Sequence, residues 1–250
     1  MVYTCYEMIR DCREDKAEGW AYFVANYAPA ISKLAARYGA GFDSAMKMLR
    51  DPAAGLFQSM APAPERWFVA ELRQRIVAAA PGSTPGIQLD LETVADALGS
   101  LTLVEKQAAW FETMRFSSAQ AAEALRMAAP TVQKIRERAD ELLRGKVDSW
   151  RRGLLAENGR ALGMEAAEKK TKECLASKTF LDVLDGRSTW RGREEMERHV
   201  ASCWRCIDHF CRMAEVVELI RGLKPLDEAE AASLRKKLGV ETAKRGLWRR

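Results

Sequence analysis

Histidine is scarce in this chain, which holds two among 250 residues. No second histidine is placed to act as a base, and neither a phosphate-binding glycine loop nor a nucleophile elbow is present. Long apolar runs are missing too, and none approaches the length that spans a bilayer. Met1 to Arg13 mixes acidic and basic groups and has no apolar signal-peptide core. These absences disfavour an enzyme, a membrane protein and a secreted protein, so a soluble cytoplasmic chain is expected. Charge of one sign is not in great excess either. A net charge of +5 permits nucleic-acid binding without demanding it. The length suits two or three small domains.

Cysteine is better represented, with six residues. Their spacing suits a metal site in a reducing compartment better than a disulfide framework. Cys174, His199, Cys203 and Cys206 make the pattern Cys-x24-His-x3-Cys-x2-Cys. His199 and Cys203 stand one helical turn apart, which would send both side chains from one face. Cys203 and Cys206 fold two thiolates around one point, and Cys174 adds a third sulfur from an upstream helix. Three sulfurs and an imidazole form a closed tetrahedral shell for Zn2+, structural in character because no position is left for substrate. Two alternatives stand beside this one: reduced core cysteines near a surface histidine, and His209 in the place of His199.

Helical spacing surrounds the pattern. Leu175, Phe180, Leu181 and Leu184 line one helix that Gly186 can stop. A second starts near Trp190 and carries Met196, His199 and Val200. A third carries Ile207, Phe210, Ala214 and Val217. Cys5, Cys12 and Cys211 remain as core thiols, and Cys211 could join a disulfide if an oxidant expelled the metal. The hairpin, over residues 168–222, resembles the zinc-binding anti-sigma domain of bacteria, with the ligand positions matching at Cys174, His199, Cys203 and Cys206. The resemblance implies three short helices that mask the polymerase-binding surfaces of a sigma factor.

A second pattern lies in residues 101–150. Thr102 with Glu105 makes a capping box for a helix through Met114, and Ser117 with Gln120 makes another for a short helix ending near Arg126. A tight turn at Met127 to Ala129 follows, and Pro130 opens the next helix. Ala121, Leu125, Val132 and Ile135 can pack the two helices together. Thr131, Gln133, Lys134, Arg136 and Arg138 are expected to face out. This reads as a helix-turn-helix: Gln133 and Arg136 for base edges, Lys134 and Arg138 for phosphates. An ordinary helical hairpin with solvated cations is the alternative. The segment resembles region 4 of the extracytoplasmic-function sigma factors, through Leu101 to Gln107, Ser118 to Leu125 and Thr131 to Leu143. That resemblance implies contact with promoter DNA and with core RNA polymerase.

Residues 6–38 are expected to form one helix, since Trp20, Phe23, Val24, Tyr27, Ile31, Leu34 and Tyr38 recur at helical spacing. A short helix around Asp43 to Leu49 lies between loops. Another runs from Glu65 to Ala80, with Trp67, Phe68, Leu72 and Ile76 on a core stripe and Arg73 and Arg75 facing out. Residues 1–80 resemble sigma region 2, in a degenerate form: the acidic Asp-x-x-Gln helix that grips polymerase is missing between Arg37 and Glu65. Residues 81–100 are expected to be a linker, and 145–170 to join the modules through glycines. A short helix capped by Asp227 and Glu230 and a basic tail complete the chain over 223–250.

The expectation is an all-α, sigma-like transcription regulator with a zinc module in cis, binding promoter DNA and core RNA polymerase, with a further sigma or regulatory protein as a candidate partner. The alternative is an adaptor or anti-sigma protein that binds no DNA and acts through protein contacts.

Overall fold

The computed structural model describes residues 3–82 and 85–240. Among these residues it contains helices and no strand, in line with the all-α expectation. In chain order the helices are α1 Cys5–Arg13, α2 Ala17–Tyr38, α3 Phe42–Arg50, α4 Leu56–Ser59, α5 Glu65–Ala79, α6 Leu91–Ala97, α7 Leu103–Trp110, a 3-10 turn Phe111–Met114, α8 Ser118–Leu125, α9 Ala129–Arg144, α10 Leu154–Glu168, α11 Ser177–Leu184, α12 Trp190–Val200, α13 Trp204–Arg221 and α14 Glu228–Lys237. They form two compact units, one of Met1–Pro81 with Leu219–Arg250 and the other of Gly82–Glu218. The helix-turn-helix and the four residues of the metal pattern lie in one unit, and α14 lies in the other with the N-terminal helices.

In the first unit α2 is the spine. Trp20, Phe23, Val24, Tyr27, Ile31 and Leu34 make a buried stripe. Phe57 meets the Trp20 and Phe23 rings edge-on, each at 5.1 Å, and Phe68 meets Tyr27 at 4.8 Å. Such pairs add about 0.5–1.5 kcal/mol each beyond burial. Phe57 comes from α4, a helix too short for its periodicity to show among the glycines and prolines of residues 39–64. The single helix expected over 6–38 is broken, because Asp15 takes a φ of 53° and the Lys16 N–H closes α1 on the Asp11 carbonyl at 2.8 Å. Pro29 lies inside α2 and has no N–H for the Ala25 carbonyl. The N–H of Leu226 takes that carbonyl instead, at 2.8 Å, which ties the C-terminal segment to the spine.

Two side chains of α5 reverse their expected places. Arg73 is buried and donates to the Tyr38 hydroxyl at 2.9 Å, whereas Trp67, assigned to the core stripe, is 38% exposed. Asp227 and Glu230 form the expected capping box of α14, and Gly239 follows at a φ of 64°. The basic tail at Lys244, Arg245, Arg249 and Arg250 lies outside the described residues.

In the second unit the expected linker holds α6. Asp90 caps it by accepting the Thr93 N–H at 2.7 Å, and Leu91, Val94, Ala97 and Leu98 are buried. The glycine-bearing joiner is α10. Its Asn158, 1% exposed, donates to the Ile87 carbonyl at 3.0 Å and accepts the Leu89 N–H at 2.9 Å, pinning the stretch before α6. Gly159 is a packing glycine, since a Cβ there would collide with the Thr113 carbonyl of the 3-10 turn.

Candidate functional site

The metal pattern closes in space. The ligand atoms of Cys174, His199, Cys203 and Cys206 all lie within 4.8 Å of one another. Cys174 Sγ is 3.8 Å from Cys203 Sγ, and His199 Nε2 is 3.2 Å from Cys206 Sγ. A tetrahedron with metal–sulfur bonds of about 2.3 Å has edges of about 3.8 Å, so the donor set fits a metal ion. All six cysteines lie among the described residues, and none is in a disulfide.

The local route to this cluster differs from the expected one. Cys174 is in the turn ahead of α11, not on a helix, and Leu175 also precedes that helix. His199 is in the last turn of α12, whereas Cys203 follows the turn Ala201–Ser202 and stands just before α13. The Cys203 carbonyl accepts the Cys206 and Ile207 N–H groups, both at 2.9 Å, so Cys203 and Cys206 are one opening helical turn. Thr189 caps α12 through the Gly192 N–H at 3.1 Å, and Gly186 ends the preceding segment at a φ of 71°.

Burial raises the Cys174 thiol, but hydrogen bonds from the Thr171 N–H and hydroxyl and from the neighbouring thiols outweigh it and hold the group below its ordinary value. Cys206 is pushed up to about 12, first by burial and then by the Cys203 and Cys174 sulfurs. Crowded thiols that cannot all ionise alone are what a bound cation relieves. His209 is excluded from the cluster. Its Nε2 is 2.8 Å from Ser177 Oγ, and its ring lies edge-on to Phe180 at 5.0 Å. Cys211 is fully buried, with its sulfur 3.9 Å from the Gln107 carbonyl, and burial raises its thiol. It is a core thiol and not a neighbour of the four ligands.

The metal hairpin is fastened to α7. Lys106 Nζ donates to the Ala201 carbonyl at 2.9 Å, between two of the ligands, and lies 5.9 Å from the centre of the Trp204 ring. Trp110 Nε1 donates to Asp208 at 3.1 Å, and its ring is 5.3 Å from that of Trp204. Neither Lys106 nor Trp110 belongs to the metal pattern or to the outward face of the helix-turn-helix in the sequence. They are four residues apart on a helix and so share a face, which was the available signal.

Both capping boxes of the helix-turn-helix are formed, with Thr102 and Ser117 as the caps. Ala121, Val132 and Ile135 are buried between α8 and α9. Thr131, Gln133, Lys134 and Arg138 are exposed. Gln133 accepts from Ser118 Oγ at 2.8 Å and donates to Glu137 at 2.9 Å. Arg138 pairs at 3.1 Å with Glu105, the capping-box carboxylate of α7. Arg136 does not face out as expected. It is half-buried and donates to the Phe116 carbonyl at 2.9 Å, the Ala108 carbonyl at 3.3 Å and Ser118 Oγ at 3.4 Å. Burial lowers its guanidinium from the ordinary value, with Glu112 and Asp140 opposing. The Ala108 carbonyl is in the last turn of α7, where helical carbonyls lack intrahelical donors, and the Phe116 carbonyl is in the turn ahead of α8. Arg136 is therefore an internal staple and is withdrawn from the base-reading set.

Among the described residues no helix is long and apolar enough to cross a membrane. Set against models of protein families, curated proteins and solved structures, the chain matches none of them.

Proposed function

We propose that this chain is a non-enzymatic, sigma-like transcription regulator acting in the cytoplasm, whose helix-turn-helix binds promoter DNA and core RNA polymerase and is held in shape by a structural Zn2+. The observation that carries the reading is the pairing, in one compact unit, of a capped helix-turn-helix with a Cys3His cluster that closes around a single point. Three sulfurs and an imidazole favour zinc over harder cations, and four protein donors favour a structural over a catalytic role. Thr131, Gln133 and Lys134 lie in the first turns of α9, where a recognition helix reads base edges.

The hairpin's role follows from its attachment. It grips α7 through Lys106 and Trp110 and leaves Thr131, Gln133 and Lys134 exposed. Control by the zinc hairpin therefore runs through support of α7, on which α9 is stapled by Arg136, and not through a mask over the recognition helix. With Arg136 and Arg138 engaged internally, α9 has fewer free cations than its sequence suggests. That observation favours the second reading, an adaptor or anti-sigma protein working through protein contacts alone.

The test is whether tagged full-length protein retains core RNA polymerase from an extract of its own cells, and whether polymerase with it shifts promoter fragments. Retention and a shift that weakens on Lys134→Ala or Gln133→Ala support the regulator. Polymerase retention with no shift moves the assignment to the adaptor. Loss of both sinks the transcription reading.

A further inference from the structure

Six segment ends among the described residues close in the same way, with an N–H reaching back five residues to a carbonyl across a residue of positive φ. The closing bonds are Lys16 to Asp11, Ala40 to Ala35, Phe116 to Phe111, Met127 to Ala122, Arg187 to Asp182 and Val240 to Arg235, at 2.7–3.1 Å. The left-handed residue in each is Asp15, Gly39, Arg115, Arg126, Gly186 and Gly239 in turn. Glycine suits such an end because it has no Cβ, and aspartate is among the side chains that tolerate it. Arginine has neither excuse. Yet Arg115, at a φ of 58°, and Arg126, at 55°, stand there, one just ahead of α8 and one as its C-terminal cap.

Both residues are exposed, and neither side chain has a hydrogen-bond or ion-pair partner among the described residues. A left-handed arginine placed twice around one helix, where glycine would close the same backbone bonds and where neither side chain has a hydrogen bond or ion pair among the described residues, is the pattern expected where a ligand uses the side chain. Ten residues, Phe116 to Leu125, lie between the two positions, and eight of them form α8, so the arginines flank that helix at its start and its end. The free cation nearest in sequence, Lys134, sits on the neighbouring helix α9 and is exposed.

We propose that Arg115 and Arg126 are a pair of phosphate-binding residues that grip the backbone of duplex DNA at the two ends of α8. The proposal rests on the DNA-binding reading above and adds to it the residues that position the duplex without reading its sequence. Each guanidinium that neutralises a phosphate releases condensed counterions, so its removal shows in the salt dependence of binding.

The experiment uses the full chain as purified, with its metal, and a mixed-sequence duplex DNA followed by fluorescence anisotropy over a potassium chloride series. Variants are Arg115→Gly, Arg126→Gly and the double. Glycine suits the left-handed backbone, so the melting temperature should hold or rise by about 1–3 °C for each substitution. The slope of log affinity against log salt should shrink by about 1 for each variant and about 2 for the double. Arg191→Ala, on the metal hairpin, should leave the slope unchanged. Wild-type slopes in all three variants, with binding intact, overturn the clamp and leave the DNA reading standing. Slopes that fall only together with the melting temperature make the arginines structural and also overturn it. No binding by the unaltered chain at low salt brings down the clamp and the DNA reading together.

Discussion

Arg136 offers the sharpest contrast between what its sequence position suggests and where the side chain goes. Replacing it with alanine removes one well-formed bond, to the Phe116 carbonyl at 2.9 Å, and two longer ones at 3.3 and 3.4 Å. A hydrogen bond from a charged donor is worth about 1.5–3 kcal/mol, and carbonyls left unpaired in a part-buried site add to the loss. Relief of the guanidinium's own desolvation, including Nη2, which is buried without a partner, returns about 1 kcal/mol. The net expectation for Arg136→Ala is a loss of about 2 kcal/mol, or about 4–8 °C in melting temperature for a chain of this length. Arg136→Lys should recover less than half of it, because one ammonium cannot span acceptors that a planar fork reaches together. Urea unfolding followed by tryptophan fluorescence measures the loss, and anisotropy at a temperature where both proteins are folded measures DNA affinity. A loss below about 0.5 kcal/mol with DNA affinity reduced severalfold would refute the staple and return Arg136 to the groove.

Other outcomes are equally specific. Never-chelated protein should contain one zinc per chain by elemental analysis, and Cys203→Ser or a strong chelator should lower the melting temperature by roughly 10 °C or more; absent metal with unchanged melting refutes the site. Burial, aided by Arg205, Arg212 and Lys170, holds His209 down at about 4. Its neutral ring therefore contributes stability in full above pH 6.5 that is lost as pH falls towards 4, and its imidazole NMR signals should stay flat from pH 8 to about 5. The hydrogen bond from Arg10, with those from Tyr3 and Lys16, lowers Asp11 to about 2. Because the folded value is depressed, about 1–2 kcal/mol is present above pH 4 and lost between about pH 4 and 2; Asp11→Asn should flatten that part of the stability curve. Gly159→Ala should cost about 3 kcal/mol or more by forcing α10 off the Thr113 carbonyl, and an unchanged urea midpoint would contradict that packing.

The sequence by itself determined the local features. Capping boxes at Thr102, Ser117 and Asp227 and the stripe of α2 are short-range chemistry, and each formed as read. The four metal donors were legible for the same reason, since cysteine and histidine at metal spacing have few other uses, although the turn that delivers Cys203 was not. Only the tertiary structure decided which side chains face inward and which segments belong together. Arg136 and Arg73 look like surface cations in any periodicity count, yet each is drawn in by acceptors twenty or more residues away. Phe57, Asn158 and Leu226 likewise have partners remote in the chain. Periodicity ranks positions by their own element alone. A buried carbonyl left at the end of one helix selects its donor from whatever another helix brings within reach, and that choice is made only when the chain closes on itself.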